Sequence, residues 1–244
     1  MNILVLGATS RIGSEIAAAF APGNKLILVG RNTLKLQQAE GCCRDHGAQR
    51  VTLLVSDLRH GCNDILRAID DWPMDVIINS CSATSRLRDS QIPAGAVPAC
   101  VTVDLLAPLE LVEKIAAMQK ERPLSVVFIS TVLTLVKSPN RAVYSSLKII
   151  QERSLRSIAA SHRGLYLLTV NVGRLIPRDE PTPAARKLAK AVKKAFDAKK
   201  TRLIYGWAGR LLTVFFYTQP LVFSLAIKLR RKLSPAPQDR SPAT

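Results

Sequence analysis

The stretch Asn2-Ile3-Leu4-Val5-Leu6-Gly7-Ala8-Thr9-Ser10-Arg11-Ile12-Gly13 decides the fold, because an apolar strand leads directly into a glycine-bearing turn and then into a helical pattern over residues 14–20. A strand, a tight turn and a helix in this order direct backbone N–H groups and a helix N-terminus towards an anion. We expect this anion to be the pyrophosphate of a dinucleotide. A tight turn without a ligand is the alternative at this point.

A second stretch, Tyr144-Ser145-Ser146-Leu147-Lys148, places a phenol and an ammonium group four residues apart. Side chains with this spacing share one face of a helix. A cation within roughly 4–6 Å stabilises a phenolate and lowers a phenol pKa that is ordinarily about 10. The spacing therefore predicts a proton-transfer pair in which Lys148 lowers the pKa of Tyr144, although an exposed polar helix face shows the same pattern by chance.

Two hydroxyl groups, those of Ser130 and Thr131, close the apolar run 125–129 upstream of this helix. The run predicts a strand, and the hydroxyls stand where that strand should end beside the start of the Tyr144 helix. We predict that Thr131 holds a substrate oxygen, and Ser130 is a further candidate for the catalytic site.

Together these motifs resemble the short-chain dehydrogenase/reductase family over roughly residues 1–205. The family has a Thr-Gly-x3-Gly-x-Gly turn, an Asn-Asn-Ala-Gly strand end and a Ser…Tyr-x-x-x-Lys site. The resemblance implies that Gly7 and Gly13 match the outer glycines and that Asn79 matches the first Asn. It also implies catalytic roles for Thr131, Tyr144 and Lys148, and a contact between Asp57 and the adenine of the cofactor.

The sequence departs from the family pattern at four places. Arg11 stands where the middle glycine is usual, Ser-Cys-Ser at 80–82 replaces Asn-Ala-Gly, and Val172-Gly173 replaces Pro-Gly. Asp104 stands where the family has its active-site Asn. Asp104 is either a buried hydrogen-bond partner or a polar core residue, and its charge would act on Lys148 if it is ionised.

The cofactor is predicted from the end of the second apolar strand, Gly30-Arg31-Asn32, where no acid is present. An acid here would bind the ribose 2′-OH, whereas an arginine accommodates a 2′-phosphate. Arg31, with Arg11 at the turn, therefore favours NADP(H), with NAD(H) possible and a solvated surface arginine as the alternative. Asp57 can equally cap the next helix. The expected cofactor-binding residues are Gly7, Thr9, Ser10, Arg11, Ile12, Gly13, Arg31, Asp57, Leu58, Asn79, Tyr144, Lys148 and Gly173.

Apolar strands alternate with helices along the chain. We predict strands at 2–6, 25–29, 51–55, 75–79, 125–130 and 165–171, and helices at 14–20, 33–46, 63–70, 99–118, 143–160 and 184–198. A loop is predicted over 80–97. This alternation predicts an α/β fold, a single-domain Rossmann-type doubly wound parallel sheet over 1–205, with ligand sites at the carboxyl ends of the strands. A chain of 244 residues with 48% apolar content can bury one such core.

The cysteines are five in number and show no Cys-x-x-Cys or Cys/His metal spacing. This usage predicts reduced thiols in a cytoplasmic protein and no metal site. Because the first strand begins at residue 2, we expect no cleaved signal peptide.

The region 184–244 is strongly basic, with 14 Lys and Arg residues against 2 Asp, and it accounts for +12 of the net charge of +17. Basic residues flank an apolar run of 17 residues at 211–227 that contains Pro220. Such a run would span about 25 Å as a helix, which is less than the roughly 30 Å hydrocarbon core.

We therefore predict that residues 206–233 lie in an anionic membrane interface and that 234–244 is a disordered tail. A transmembrane span is the second choice, and a core or dimer helix is the structural alternative. Nucleic-acid binding is disfavoured because the charges bracket an apolar run and form no polar groove.

The combined interpretation is an NADP(H)-dependent oxidoreductase, peripheral on the inner face of the membrane, that interconverts a ketone and a secondary alcohol. About ten residues, 174–183, replace the longer lid of many relatives, which suits a bulky or lipid-linked carbonyl substrate. This tail and short lid resemble the branch that reduces polyprenyl-phosphate-linked keto-sugars. The alternatives are a 3-oxoacyl or other lipid ketone reductase and a non-catalytic NADP-binding sensor or scaffold. A homo-oligomer is left open.

Overall fold

The computed structural model describes residues 1–206, apart from residues 86, 120–121, 136–139 and 174–182. The strands are β1 (Asn2–Leu6), β2 (Lys25–Gly30), β3 (Arg50–Val55), β4 (Val76–Asn79), β5 (Leu124–Thr131), β6 (Leu165–Val172) and β7 (Arg202–Tyr205). The α-helices are α1 (Arg11–Ala19), α2 (Thr33–Asp45), α3 (Asn63–Ala68), α4 (Val97–Val101), α5 (Ala107–Met118), α6 (Ala142–Ser161) and α7 (Pro183–Asp197).

The strands of this described region form one parallel sheet in the order β3-β2-β1-β4-β5-β6-β7. Two series of strands therefore run outward from the β1–β4 pair, in which Leu6 lies opposite Asn79. In such open sheets the carboxyl ends of the strands form a crevice where the order reverses, and ligands bind there. The predicted doubly wound parallel α/β fold is confirmed.

The sheet is apolar on both faces, which explains why its strands read as continuous apolar runs. Ile3 and Val5 pack with helices α1, α2 and α7 on one side, whereas Leu4 and Leu6 pack with α3, α5 and α6 on the other. Successive side chains of a strand point to opposite faces, so a single strand contributes to both cores. The sheet is thereby fixed from both sides, and its carboxyl edge is a rigid base for the loops.

Helix α1 begins at Arg11, earlier than the predicted residue 14. The hydroxyl of Ser10 accepts a hydrogen bond of 3.0 Å from the Gly13 N–H, which makes Ser10 the N-cap. A serine cap satisfies a backbone donor at the helix start and so fixes where the helix begins. The glycine-bearing turn is therefore shorter than predicted, and the helix N-terminus lies directly behind it.

Strand β7 was not predicted. It has four residues that are each partly exposed, and it pairs in parallel with β6 through Thr169 and Arg202. A short strand at the edge of a sheet lacks the continuous apolar run that identifies a buried strand. The strand is identified in the structure by its pairing with β6.

The predicted helix over 99–118 is interrupted by a π-helical turn, Thr102–Leu106, which joins α4 to α5. Two short 3-10 turns, Asp89–Gln91 and Ala94–Ala96, lie in the region that was predicted as a loop. Among the described residues, the run Ala94–Met118 is long and apolar enough to cross a membrane, with a mean hydropathy of 1.6. Its residues Leu111 and Ile115 pack in the core against the sheet, so the run is a core helix of the α/β fold.

Two predicted features lie outside the described residues. The short lid, 174–183, does so except for residue 183, and the membrane-associating segment, 206–233, and the tail, 234–244, do so except for residue 206.

Candidate active site

The N-terminal turn packs tightly against the end of β4. Gly7 has a φ of 75°, and a Cβ there would lie 2.8 Å from the Cys81 nitrogen. A Cβ on Gly13 would lie 2.3 Å from the Gly7 carbonyl oxygen and 2.4 Å from the Ser80 hydroxyl. Both positions therefore require glycine. The close approach brings residues 7–13, including Thr9, Arg11 and Ile12, to the carboxyl edge of the sheet.

This turn has the features that an anion requires. Gly7 carries no side chain, and the nine-residue helix α1 begins directly behind the turn with Ser10 as its cap. Unsatisfied N–H groups and the helix dipole at such a position favour a phosphate. The predicted pyrophosphate-binding residues are thus brought together, and they fit a dinucleotide cofactor.

Next to the turn, at the ends of β2 and β3, the basic side chains of Arg31 and Arg59 contact the carboxylate of Asp57. The Asp57 carboxylate accepts a hydrogen bond of 3.0 Å from the Arg59 N–H and pairs with the Arg59 guanidinium at 2.6 Å. Arg31 lies 4.0 Å from the same carboxylate and is 64% exposed. The hydrogen bonds from Arg59 hold the pKa of Asp57 below its usual range. Asp57 thus caps the 3-10 turn Leu58–His60, which was the alternative reading of this residue.

Arg59 was not predicted to belong to this site. It gives this edge two guanidinium groups against one carboxylate. The surplus positive charge is suited to a 2′-phosphate, which is the group that Arg31 was expected to meet.

At the end of β4, Asn79 and Asp104 organise the following loop. The side-chain Oδ1 of Asn79 accepts a hydrogen bond from the Cys81 thiol at 2.9 Å. Asp104, in the π-helical turn, is 1% exposed. Its carboxylate accepts hydrogen bonds from the Ser82 hydroxyl at 2.9 Å, from the Thr84 N–H at 3.1 Å, and from the Ala83 N–H and the Thr84 hydroxyl. Of the two interpretations left open for Asp104, the structure shows the buried hydrogen-bond partner.

Lys148 is completely buried, at 1% exposure. Its Nζ donates to the Cys81 carbonyl at 3.4 Å and to Gln151 Oε1 at 3.3 Å, and it lies 4.7 Å from the centroid of the Phe128 ring. Burial lowers the pKa of Lys148, and the charges of Asp104 and Glu152 oppose that shift. Asp104 is thus among the neighbours that act electrostatically on Lys148.

Tyr144 and Thr131 meet where β5 ends and α6 begins. Burial raises the pKa of Tyr144 to about 12, and the neighbouring Thr131 side chain opposes that shift without cancelling it. The expected lowering of the Tyr144 pKa is therefore wrong, because loss of hydration around the phenol outweighs its favourable neighbours. The guanidinium of Arg141 lies 4.8 Å from the centroid of the Tyr144 ring.

The Ser130 hydroxyl points to a different partner. It donates to Glu152 Oε1 at 2.6 Å in the protein interior. Thr131 is thus the hydroxyl that lies beside Tyr144, and Ser130 belongs to a buried network centred on Glu152.

Glu152 was not singled out from the sequence, yet it is hydrogen-bonded to four elements of the structure. Besides Ser130, it accepts hydrogen bonds from Thr134 at 3.0 Å and Asn171 at 2.8 Å. Arg156 and Arg202 pair with it at 3.1 and 3.0 Å. Asn171 also donates to the Thr131 carbonyl at 3.2 Å. The network therefore fixes the backbone of Thr131, the residue that lies beside Tyr144. The sequence feature that could have identified Glu152 is its position one turn after Lys148, on the same face of α6.

Gly173 follows β6 directly, and its N–H donates to the Tyr205 carbonyl at 3.4 Å. It therefore lies at the same carboxyl edge as the other predicted residues. No group of three or more His, Cys, Asp or Glu side chains arranged for a metal ion occurs in the described regions.

Comparisons with known proteins agree with this geometry. A family model described as short chain dehydrogenase matches residues 1–193. The uncharacterized oxidoreductase YvaG of Bacillus subtilis is 27% identical over 173 residues, which cover 69% of this chain and 64% of that protein. The match thus spans less than two thirds of this relative's length.

Solved structures are similar over almost the whole chain. The bulky-bulky ketone specific alcohol dehydrogenase from Comamonas testosteroni has a TM-score of 0.74 at 19% identity, with 98% of each chain covered. A short chain dehydrogenase from Burkholderia cenocepacia in complex with NADP has a TM-score of 0.73 at 17% identity, covering 96% of this chain and 98% of that one. At these identities the likeness establishes the fold.

Replacing Glu152 by Ala should destabilise the protein by about 3–5 kcal/mol, because two guanidinium groups and three further donors would lose their buried acceptor. Urea unfolding followed by circular dichroism measures this loss. Glu110→Ala is the matched control, since Glu110 forms a half-exposed i,i+4 pair with Lys114 and should cost at most about 1 kcal/mol. Equal effects of the two substitutions would show that the Glu152 network does not stabilise the fold.

Proposed function

The chain belongs to the short-chain dehydrogenase family, and on that basis we propose that it is an NADP(H)-dependent oxidoreductase that interconverts a ketone and a secondary alcohol. The observation that carries the proposal is that the partly buried Tyr144 lies beside Thr131, with Lys148 one turn further along α6. A phenol fixed in this way can give a proton to a substrate oxygen or accept one from it.

The protonation state of Tyr144 supports a role as acid in ketone reduction. Because burial raises its pKa to about 12, the phenol carries its proton at neutral pH. Thr131, held by the Glu152 network through Asn171, would hydrogen-bond the carbonyl oxygen and direct it towards the phenol. Bound NADPH would supply the hydride for the carbonyl carbon.

The cofactor would be held along the carboxyl edge of the sheet. The turn at Gly7 and Gly13 would receive the pyrophosphate, and Arg31 and Arg59 would meet the 2′-phosphate. By its resemblance to the family lysine, Lys148 would hold the nicotinamide ribose. The NADP complex of the similar Burkholderia cenocepacia protein supports this choice of cofactor.

The substrate that we propose is a bulky, lipid-linked carbonyl compound of the keto-sugar type, reduced at the inner face of a membrane. The apolar run 211–227 with its basic flanks supports attachment to anionic lipid. The similar Comamonas testosteroni alcohol dehydrogenase is specific for bulky-bulky ketones, which is consistent with a bulky substrate. A 3-oxoacyl or other lipid ketone is the competing substrate class.

Tyr144→Phe should lower turnover about 10²–10⁴-fold and leave NADPH affinity unchanged, because it removes the proton donor and keeps the ring. NADPH oxidation with a panel of bulky ketones measures turnover, and nicotinamide fluorescence measures binding. Tyr166→Phe is the control, since the Tyr166 hydroxyl donates at 2.6 Å to the Lys200 carbonyl, away from the site. Near-normal activity of Tyr144→Phe would reject the assignment, and NADPH binding without turnover in the unmodified protein would favour the sensor alternative.

Arg31→Asp should weaken NADPH binding about 10–100-fold and favour NADH, because a charge-assisted bond to the 2′-phosphate contributes about 1.5–3 kcal/mol. Arg67→Asp makes the same charge change at an exposed site on α3 and should alter neither affinity. Fluorescence titrations with both cofactors give the comparison. Tighter binding of NADH than of NADPH by the unmodified protein would contradict the NADP(H) preference.

Replacing Lys228, Arg230, Arg231 and Lys232 by Gln should reduce flotation with vesicles containing anionic lipid and make it more sensitive to salt, since each cation near such a surface contributes about 1 kcal/mol. The control replaces four exposed cations elsewhere by Gln: Lys35, Arg44, Arg67 and Lys114. An equal loss in both variants would mean that only net charge matters. Failure of the unmodified chain to float would refute membrane attachment.

A further inference from the structure

Arg141, the residue that immediately precedes α6, lies on the face of the Tyr144 ring. The centre of its guanidinium is 4.8 Å from the ring centroid, a distance typical of a cation–π contact. Its Nη2 donates to the Ser85 carbonyl, which ties the group to the loop that follows β4. The guanidinium is therefore fixed at two points, and one of them is the reactive phenol.

The charge of Arg141 is not cancelled nearby. Within the described parts of the chain, no carboxylate lies within ion-pair distance of its guanidinium, and its buried Nε has no hydrogen-bond partner. The carboxylate of Asp89, from the loop after β4, accepts hydrogen bonds from the N–H groups of Ala142 and Val143 at 2.7 and 3.1 Å and forms no ion pair with Arg141. The positive charge of Arg141 is thus directed at the ring.

Lys148, the cation that the motif pairs with Tyr144, has different partners. Its ammonium contacts the Cys81 carbonyl, Gln151 and the Phe128 ring. The described neighbours that influence the phenol electrostatically are Arg141, which favours the phenolate, and Asp104, which opposes it. Arg141 is therefore the cation that offsets Asp104 at the phenol.

We propose that Arg141 is a positioning residue that holds the Tyr144 ring and stabilises its phenolate, a role that the Tyr-x-x-x-Lys motif assigns to Lys148. In ketone reduction the Tyr144 O–H bond breaks as the proton moves to the substrate oxygen, while the nicotinamide cofactor supplies the hydride. Negative charge then develops on the phenol beneath the guanidinium. In alcohol oxidation the same phenolate is the base. The catalytic consequence rests on the proposed function, whereas the effect on the phenol does not.

The groups that face Tyr144 set the expected pH dependence. The described neighbours that act on the phenol are Arg141 before α6, Asp104 from the π-helical turn and Thr131 from β5. Lys148 lies one turn further along α6, and the Asp89 carboxylate binds the N–H groups at the helix start. Removing the positive charge of Arg141 leaves the negative charge of Asp104 unopposed at the phenol. The pKa of Tyr144 should then rise by about one unit, as is typical of the loss of a charge at this distance. The basic limb of alcohol oxidation should move to higher pH by the same amount.

The test places a fluorinated tyrosine at position 144 in the full chain and follows its ¹⁹F chemical shift against pH. Fluorination makes the phenol more acidic, so that the titration falls where circular dichroism shows the protein folded. Arg141→Gln should raise the titration midpoint by about one unit, and Arg141→Lys should restore most of the difference. Arg153→Gln removes the same charge from an exposed position on α6 and should have no effect.

The measurement needs neither substrate nor turnover, so it separates this proposal from the assignment of function. An unchanged midpoint in Arg141→Gln, or the same shift in Arg153→Gln, would overturn it. If Arg141→Gln does not fold, Arg141→Met replaces it, because methionine keeps a long side chain without the charge. An unchanged midpoint in Arg141→Met would overturn the proposal, and loss of folding in Arg141→Lys as well would show a purely structural role.

Discussion

The buried ammonium group of Lys148 is the constraint on which the arrangement of the site depends. Taking such a charge out of water costs several kcal/mol unless opposite charges and acceptors replace the lost hydration. Here Asp104 on one side and Glu152 on the other supply negative charge, and Cys81 and Gln151 supply acceptors. Each carboxylate is in turn surrounded by donors from different elements. The polar interior is therefore one connected system, in which the position of each charge fixes the next.

The cofactor turn and the catalytic helix share a residue in this system. Gly7 packs directly against the backbone nitrogen of Cys81, and the carbonyl of Cys81 accepts the hydrogen bond from Lys148. A shift of the turn would consequently reach the ammonium group through a single residue, Cys81. The glycines at 7 and 13 thus allow the turn, the end of β4 and the first helix to pack at close range.

Much of the fold was predictable because its strands are buried on both faces and therefore read as uninterrupted apolar runs. The start of α1 was not predictable because it depends on the hydroxyl cap of Ser10. The edge strand β7 was not predictable because it depends on pairing with β6. The structure brings together residues that the motifs predicted, such as Thr131 and Tyr144. Arg59, Arg141 and Glu152 were missed because their roles come from contacts that no local spacing reveals. The Tyr144 pKa was predicted in the wrong direction because the extent of burial is a property of the packed structure.

The π-helical turn at Thr102–Leu106 has an evolutionary consequence. Such a turn holds one more residue than an α-helical turn, as if a single amino acid had been inserted into a continuous helix. Because the extra residue is taken up within the turn, the helix keeps nearly the same facing on both sides, so that Asp104 holds the loop while Leu111 and Ile115 stay in the core. Deleting one residue here would restore regular winding and leave the core face of α5 in place, but it would redirect the side chains of the turn itself, Asp104 among them. Among descendants of this chain, the core should therefore tolerate such a shortening better than the loop after β4 does.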